Sequence, residues 1–344
     1  MSSDGRLVGR PRYTDRIAPF ARNGNAKIVT GIRRCGKSSV LRMLSDSMGD
    51  GSNVIRIDME LADSYDLRDW RKLLKAVDER IVPERDNVLL IDEVQDVEGW
   101  ELAIRDLIAR GACDIYLTGS NSNLLSSEYS THLGGRFNEV RMLPLSYGEC
   151  VSFRELYGGE GDVFERFVRI GGFPILWRSP VDVQSSMQTV RDIVDVSIAN
   201  DIEGRYGIKS RSLLRDLLRC VLSTVGKYVS ANNMYNTLRS SGVRVSPDTV
   251  YSYLDHLEAA NILVRANVYD LRGSRVLTSK YKYYAVDLGI KHALLGYRPE
   301  DTPGHMENMI FTELLGRGFD VYVGDSDGRE VDFVAEKGDR RIYV

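Results

Sequence analysis

Residues 31–38 read Gly-Ile-Arg-Arg-Cys-Gly-Lys-Ser, directly after the apolar run Ala26-Lys27-Ile28-Val29-Thr30. This is G-x-x-x-x-G-K-[ST] in the setting that gives the pattern meaning: a short strand, a glycine-bearing turn, then an apolar-rich stretch at 39–48 that predicts a helix. Such a turn holds phosphate. Gly31 and Gly36 let the backbone bend so that the amides of Gly31, Ile32, Arg33, Arg34, Cys35, Gly36 and Lys37 face one anion, with Ser38 and Ser39 opening the helix behind it. The helix adds its positive dipole end. Lys37 brings a cation for the β- and γ-phosphates, and Ser38 a hydroxyl for Mg²⁺. These residues predict binding of ATP or GTP.

A second motif supports the first. Residues 88–93 read Val-Leu-Leu-Ile-Asp-Glu. Four apolar residues suit a strand buried on both faces. Two acids at its end do not suit burial unless they bind metal or do chemistry. Asp92 is the natural partner of a Ser38-bound Mg²⁺, and Glu93 a candidate base for an attacking water. The other reading has both acids simply ending the strand and capping the next helix. A third run, Asp114-Ile115-Tyr116-Leu117-Thr118, ends in Gly119-Ser120-Asn121-Ser122. Asn121 or Ser120 is a candidate γ-phosphate or water contact, or else part of an ordinary Gly-Ser-Asn turn.

These residues need a scaffold. Strands at 26–30, 53–58, 88–91 and 114–118 alternate with helical spacing at 66–82 and 100–110, which implies a parallel α/β sheet. Nucleotide sits at the carboxyl ends of such strands. The core is expected to span 1–145. Residues 146–205 read as mostly helical, a lid with a long helix at 181–200. Residues 206–290 read as three helices (213–225, 231–240, 247–260) and two strands (262–269, 276–286), the order of a winged helix-turn-helix. A helix at 307–317 and three short strands fill 291–344.

The chain has 344 residues, 43% of them hydrophobic, with a formal net charge of −3. No whole-chain basic field draws it to nucleic acid or membrane. Four scattered cysteines without a C-x-x-C pair argue against a zinc site or a disulfide framework. No stretch is long and apolar enough to span a bilayer, and the polar first twelve residues contain no signal-peptide core. A cytoplasmic protein is expected.

In order along the chain stand Thr30-Gly31 through Ser38, Ile91-Asp92-Glu93-Val94-Gln95, Thr118-Gly119-Ser120-Asn121-Ser122 and Leu133-Gly134-Gly135-Arg136-Phe137. Then follow Leu143-Pro144-Leu145-Ser146-Tyr147, Gly171-Gly172-Phe173-Pro174, Lys282-Tyr283-Tyr284-Ala285-Val286-Asp287-Leu288-Gly289 and Glu330-Val331-Asp332-Phe333-Val334. The ordered set resembles prokaryotic AAA-type ATPases that join an AAA_14 P-loop domain to a C-terminal DUF4143 domain. The resemblance implies a P-loop NTPase sheet of the AAA+/ASCE kind. It also implies a role for Arg136, at the family's arginine position, in stabilising γ-phosphate charge in cis or across a subunit interface. Separately, the segment 291–344 resembles the start of a restriction-endonuclease-like fold, with Glu307 and Asp332 matching its metal-binding acids. The lysine of that site would fall on the next strand, where the chain ends at Val344, so nuclease activity is not expected.

An ATPase with ATP and Mg²⁺ as cofactors is therefore expected. GTP is disfavoured because no Asn-Lys-x-Asp run is present. The helix at 247–260 carries Asp248, Asp255 and Glu258 and suits the major groove poorly. Arg272, Arg275, Lys280 and Lys282 form a basic strip on the strands, the expected route to DNA. Two roles are open: a DNA-associated motor or switch, or a nucleotide-dependent switch for a protein partner. Assembly with further copies of the chain is compatible with either.

Overall fold

A computed structural model describes residues 7–49, 51–122, 133–208 and 210–344. Residues 1–6 of the polar amino terminus lie outside them. The chain divides into two compact units.

The first unit comprises residues 1–31 and 36–142. After α1 (Pro11–Ile17), β1 (Ala26–Thr30) leads through the glycine turn into α2 (Lys37–Ser47). Then come β2 (Ser52–Asp58), α3 (Trp70–Asp78), β3 (Asp86–Asp92), α4 (Trp100–Arg110), β4 (Asp114–Gly119) and β5 (Phe137–Arg141). All strand pairs are parallel, in the order β2-β3-β4-β1-β5. β1 is buried along its whole length, as an interior strand covered on both faces must be. Ile28, Leu89, Ile91, Ile104, Leu107 and Leu117 join its core. Two features differ from the sequence reading. β5 was not anticipated: Phe137-Asn138-Glu139-Val140-Arg141 has little apolar content to mark it, and its place comes from pairing with β1. The helical stretch at 66–82 is shorter, because Asp69 accepts from the amides of Arg71 and Lys72 and starts α3 there.

The strand order decides the site. β4 lies between β1 and β3, so the phosphate loop and the acids are not on adjacent strands. Groups at the carboxyl end of β4 therefore lie between them.

The second unit comprises residues 32–35 and 143–344. It contains α5 (Tyr147–Tyr157), α6 (Val163–Ile170), α7 (Pro174–Arg178), α8 (Val183–Ser197) and a π-helical turn, Ile198–Glu203. α9 (Arg211–Ser223), β6 (Tyr228–Val229), α10 (Ala231–Ser240), α11 (Pro247–Ala259), β7 (Leu263–Asp270) and β8 (Arg275–Ala285) follow. α12 (Leu288–Leu295), α13 (Thr302–Gly316), β9 (Asp320–Ser326), β10 (Arg329–Lys337) and β11 (Arg340–Tyr343) complete it. The strands expected to form a free two-stranded wing lie inside a six-stranded sheet, β11-β10-β9-β7-β8-β6. β9 pairs in parallel with the end of β7, at Val268, Tyr269 and Asp270.

Asp287 ties this unit together. Its side chain caps α12 through the Gly289 amide at 2.7 Å and accepts the Gly172 amide at 2.6 Å, a contact spanning 115 residues. Complete burial pushes its carboxyl up to about 7, although the two N–H donors pull the other way. The folded-state value exceeds the unfolded one, so this group's stabilising contribution is full below about pH 4 and is lost as pH rises through about 7. Asp287→Asn removes that titration and sets one amide N–H against a backbone N–H, at a cost of about 1–3 kcal/mol. The stability gap between wild type and Asp287→Asn, followed by urea unfolding, is therefore expected to narrow from pH 4 to pH 7. A gap independent of pH would show that Asp287 does not titrate in that range.

Candidate functional site

The site collects at the carboxyl ends of β1, β3 and β4. The loop after β1 turns on left-handed or near-left-handed backbone: Gly31 at φ 153°, Arg34 at 62° and Gly36 at 106°. Gly36 caps α2, so the first amides of that eleven-residue helix carry no side-chain cap and point out of its positive end.

Lys37 is 4% exposed. Its Nζ donates to the Gly31 carbonyl at 3.0 Å and lies 3.3 Å from Glu93 Oε1. The lysine thus folds back over its own loop and meets the acid of β3. Ser38 is exposed and hydrogen-bonds the Asp92 carboxylate. Burial, the largest influence, raises the Asp92 carboxyl above its ordinary value, and the bonds from Ser38 and Thr118 oppose it. Glu93 is 6% exposed and sits at φ 54°, a left-handed backbone unusual for glutamate.

Two further residues complete the constellation, and reading the motifs singly missed both. Thr118, fully buried on β4, donates its hydroxyl to Asp92 Oδ1 and accepts the Glu93 amide at 3.0 Å. One side chain thereby fixes both acids. Gln95 donates Nε2 to Glu93 Oε2. The available signals were a threonine at the end of the strand beside the acids and a glutamine two places beyond Glu93.

The remaining sequence-derived candidates vary in position. Ser120 and Asn121 are buried just past the end of β4, the strand paired with that of the acids. Arg33 makes a two-pronged ion pair with Asp201 inside the second unit, Nε to Oδ2 at 2.9 Å and Nη2 to Oδ1 at 3.1 Å. Ile32 and Cys35 are buried, while Arg34 is exposed. Arg136 is exposed just before β5, and its carbonyl accepts the Ala26 amide at the start of β1. The phosphate loop leaves the other end of β1, about 15 Å away at ~3.3 Å per residue. The structure does not bring Arg136 to this chain's own loop.

The basic strip needs correction. Lys282 is 1% exposed, pointing into the second unit where its Nζ binds Glu307 Oε1 at 2.9 Å and Glu330 Oε1. It is an internal counter-ion and cannot meet a DNA phosphate in this fold. Arg272 pairs with Asp327 and Arg275 with Asp270, whereas Lys280 is exposed. Glu307 also accepts the Tyr284 hydroxyl at 2.6 Å, so its Oε1 is held by both Lys282 and Tyr284. Among the described residues no group of three or more His, Cys, Asp or Glu side chains is arranged to hold a metal ion, and no helix is long and apolar enough to cross a membrane.

Two domain models match this chain. Residues 23–151 match the AAA domain model AAA_14. Residues 161–301 match a domain of unknown function, DUF8612, in place of the DUF4143 domain that the short motifs suggested. An uncharacterized protein of Haemophilus influenzae is 31% identical over 346 residues, covering 98% of this chain and 86% of that protein. A second uncharacterized protein, from Methanocaldococcus jannaschii, is 24% identical over 90% of this chain and 71% of its own length. Among solved structures, domain III of the Thermotoga maritima replication initiation protein DnaA aligns over 55% of this chain and 95% of that domain, with 16% identity and a TM-score of 0.38. The chain belongs to one family with its Haemophilus influenzae relative, and in this chain an AAA domain is followed by a domain of unknown function.

Proposed function

We propose that this protein binds ATP with Mg²⁺ and hydrolyses it. The observation that carries the reading is the convergence of Lys37, Ser38, Asp92, Glu93 and Thr118 at one end of one parallel sheet. Loop amides hold the phosphates, and Lys37 exchanges its contacts with Gly31 and Glu93 for the β- and γ-phosphates. Ser38 and Asp92 form an all-oxygen donor pair that suits Mg²⁺, directly or through water. When bound, Mg²⁺ would neutralise charge on the phosphate oxygens. Glu93 orients the water and takes its proton, and Asn121 contacts the γ-phosphate or the water. Arg136 serves only a neighbouring copy's site, if it acts as the stabilising arginine.

We further propose that the cycle drives a switch, with residues 146–205 as a lid and 206–290 as a winged-helix module. Between the two kinds of partner, charge favours protein over DNA. Lys282 is withdrawn from the strip, Arg272 and Arg275 face carboxylates, and α11 carries Asp248, Asp255 and Glu258. DNA contact would rest mainly on Lys280. A cytoplasmic location fits either reading.

The test is phosphate release from ATP by wild type and Glu93→Gln, each with and without duplex DNA. Wild type is expected to turn over, and Glu93→Gln to bind ATP normally but turn over about 100-fold or more slowly. Turnover unchanged in Glu93→Gln would remove Glu93 from its role. Stimulation by DNA that disappears with added salt would restore the DNA-associated motor or switch.

A further inference from the structure

Gln95 lies in the single turn Val94–Asp96 that follows β3, two residues beyond Glu93. The Glu93 carboxylate is gripped on both oxygens, Oε1 by Lys37 Nζ at 3.3 Å and Oε2 by Gln95 Nε2. The same Nε2 reaches Ser120 Oγ, at the end of β4, at 3.4 Å. The amide therefore spans the two strand ends that frame the site. Its other half is unused: Gln95 Oε1 is buried and has no hydrogen-bond donor among the described residues. A buried carbonyl without a donor is costly to keep. Flipping the amide would not help, because Oε1 would then face the Glu93 carboxylate, acceptor against acceptor.

Water about to attack a phosphate has two hydrogens. In the proposed reaction the water oxygen forms a bond to the γ-phosphorus as the bond to the β,γ-bridging oxygen breaks, leaving its electron pair on ADP. One water proton passes to Glu93. The second O–H stays on the product phosphate and needs an acceptor that holds the water in line. We propose that Gln95 is the positioning residue of this step: Nε2 aims the Glu93 carboxylate, and Oε1 accepts the hydrogen that Glu93 does not take. This rests on the ATPase reading above. It gives a function to an amide that packing alone leaves half-satisfied.

The experiment measures kcat and KM for phosphate release, affinity for a fluorescent ATP analogue and the melting temperature. The proteins are wild type, Gln95→Ala, Gln95→Glu, Glu93→Gln and the Gln95→Ala/Glu93→Gln pair, all in the full chain. Gln95→Ala should lower kcat by about 10- to 100-fold with KM and analogue affinity within about twofold. Gln95→Glu keeps the shape but sets a second carboxylate against Glu93 in place of the amide donor, so both its kcat and its melting temperature should fall. The pair should be no slower than Glu93→Gln alone, because Gln95 acts on the water through the same step. Wild-type kcat in Gln95→Ala or Gln95→Glu overturns the proposal. So does a further multiplicative loss in the pair, the mark of a merely structural residue. Turnover that needs Glu93 but not Gln95 removes this proposal alone, whereas no turnover in wild type removes the ATPase reading with it.

Discussion

Lys37→Ala is expected to abolish ATP turnover and weaken nucleotide binding. Removing a positioned cation from a phosphoryl-transfer site costs about 100- to 1,000-fold in rate, because no water-screened surface charge can replace it. Here a second consequence follows from the burial of both partners. Lys37 and Glu93 are 4% and 6% exposed and 3.3 Å apart. Cutting a buried pair on one side leaves the other charge unanswered, a loss of roughly 3–5 kcal/mol when no group compensates. Gln95 still donates to Glu93, so the loss should fall at or below the low end of that range. Lys37→Met keeps most of the side chain's bulk and isolates the charge effect. Adding Glu93→Gln to Lys37→Met should restore melting temperature without restoring turnover. Phosphate release, titration of a fluorescent ATP analogue and thermal melts read these effects. Normal turnover in Lys37→Ala would rule out the assignment of the loop.

Gly172→Ala should be strongly damaging to the second unit. A Cβ there would stand 2.0 Å from the Leu145 carbonyl oxygen and 2.9 Å from its carbon, both backbone atoms. The strand of chain cannot step aside. Gly172 accepts the Leu145 amide at 2.7 Å and donates to Asp287 at 2.6 Å, so relief of the clash breaks one bond or the other. A cost of about 3 kcal/mol or more is expected. Gly148→Ala provides the contrast. It lies in α5 with nothing within 4 Å of the added carbon, and should be neutral or stabilising by up to about 1 kcal/mol. Urea unfolding of the two variants measures the difference. Equal stability would mean that the approach at Gly172 is looser than the structure has it.

The phosphate loop, the acid-ended strand and the parallel α/β class were legible because each is written in consecutive residues. Gly31 to Ser38 bend where glycine permits and would bind an anion through their own backbone, so the motif brings most of its geometry with it. An apolar run ending in Asp92-Glu93 identifies itself, since two acids at a buried strand end call for a partner. Tertiary structure decided what depends on strands distant in sequence. Only the insertion of β4 between β1 and β3 makes Thr118 the link between Asp92 and Glu93. Only the parallel register of β5 with β1 puts Arg136 at the end away from the phosphate loop. Lys282 looked like part of a basic surface because lysines usually are exposed, but β8 is interior to its sheet and is buried from Tyr281 to Ala285. Charge can be counted along a chain, but the direction in which a side chain points is settled by what packs on either side of its strand.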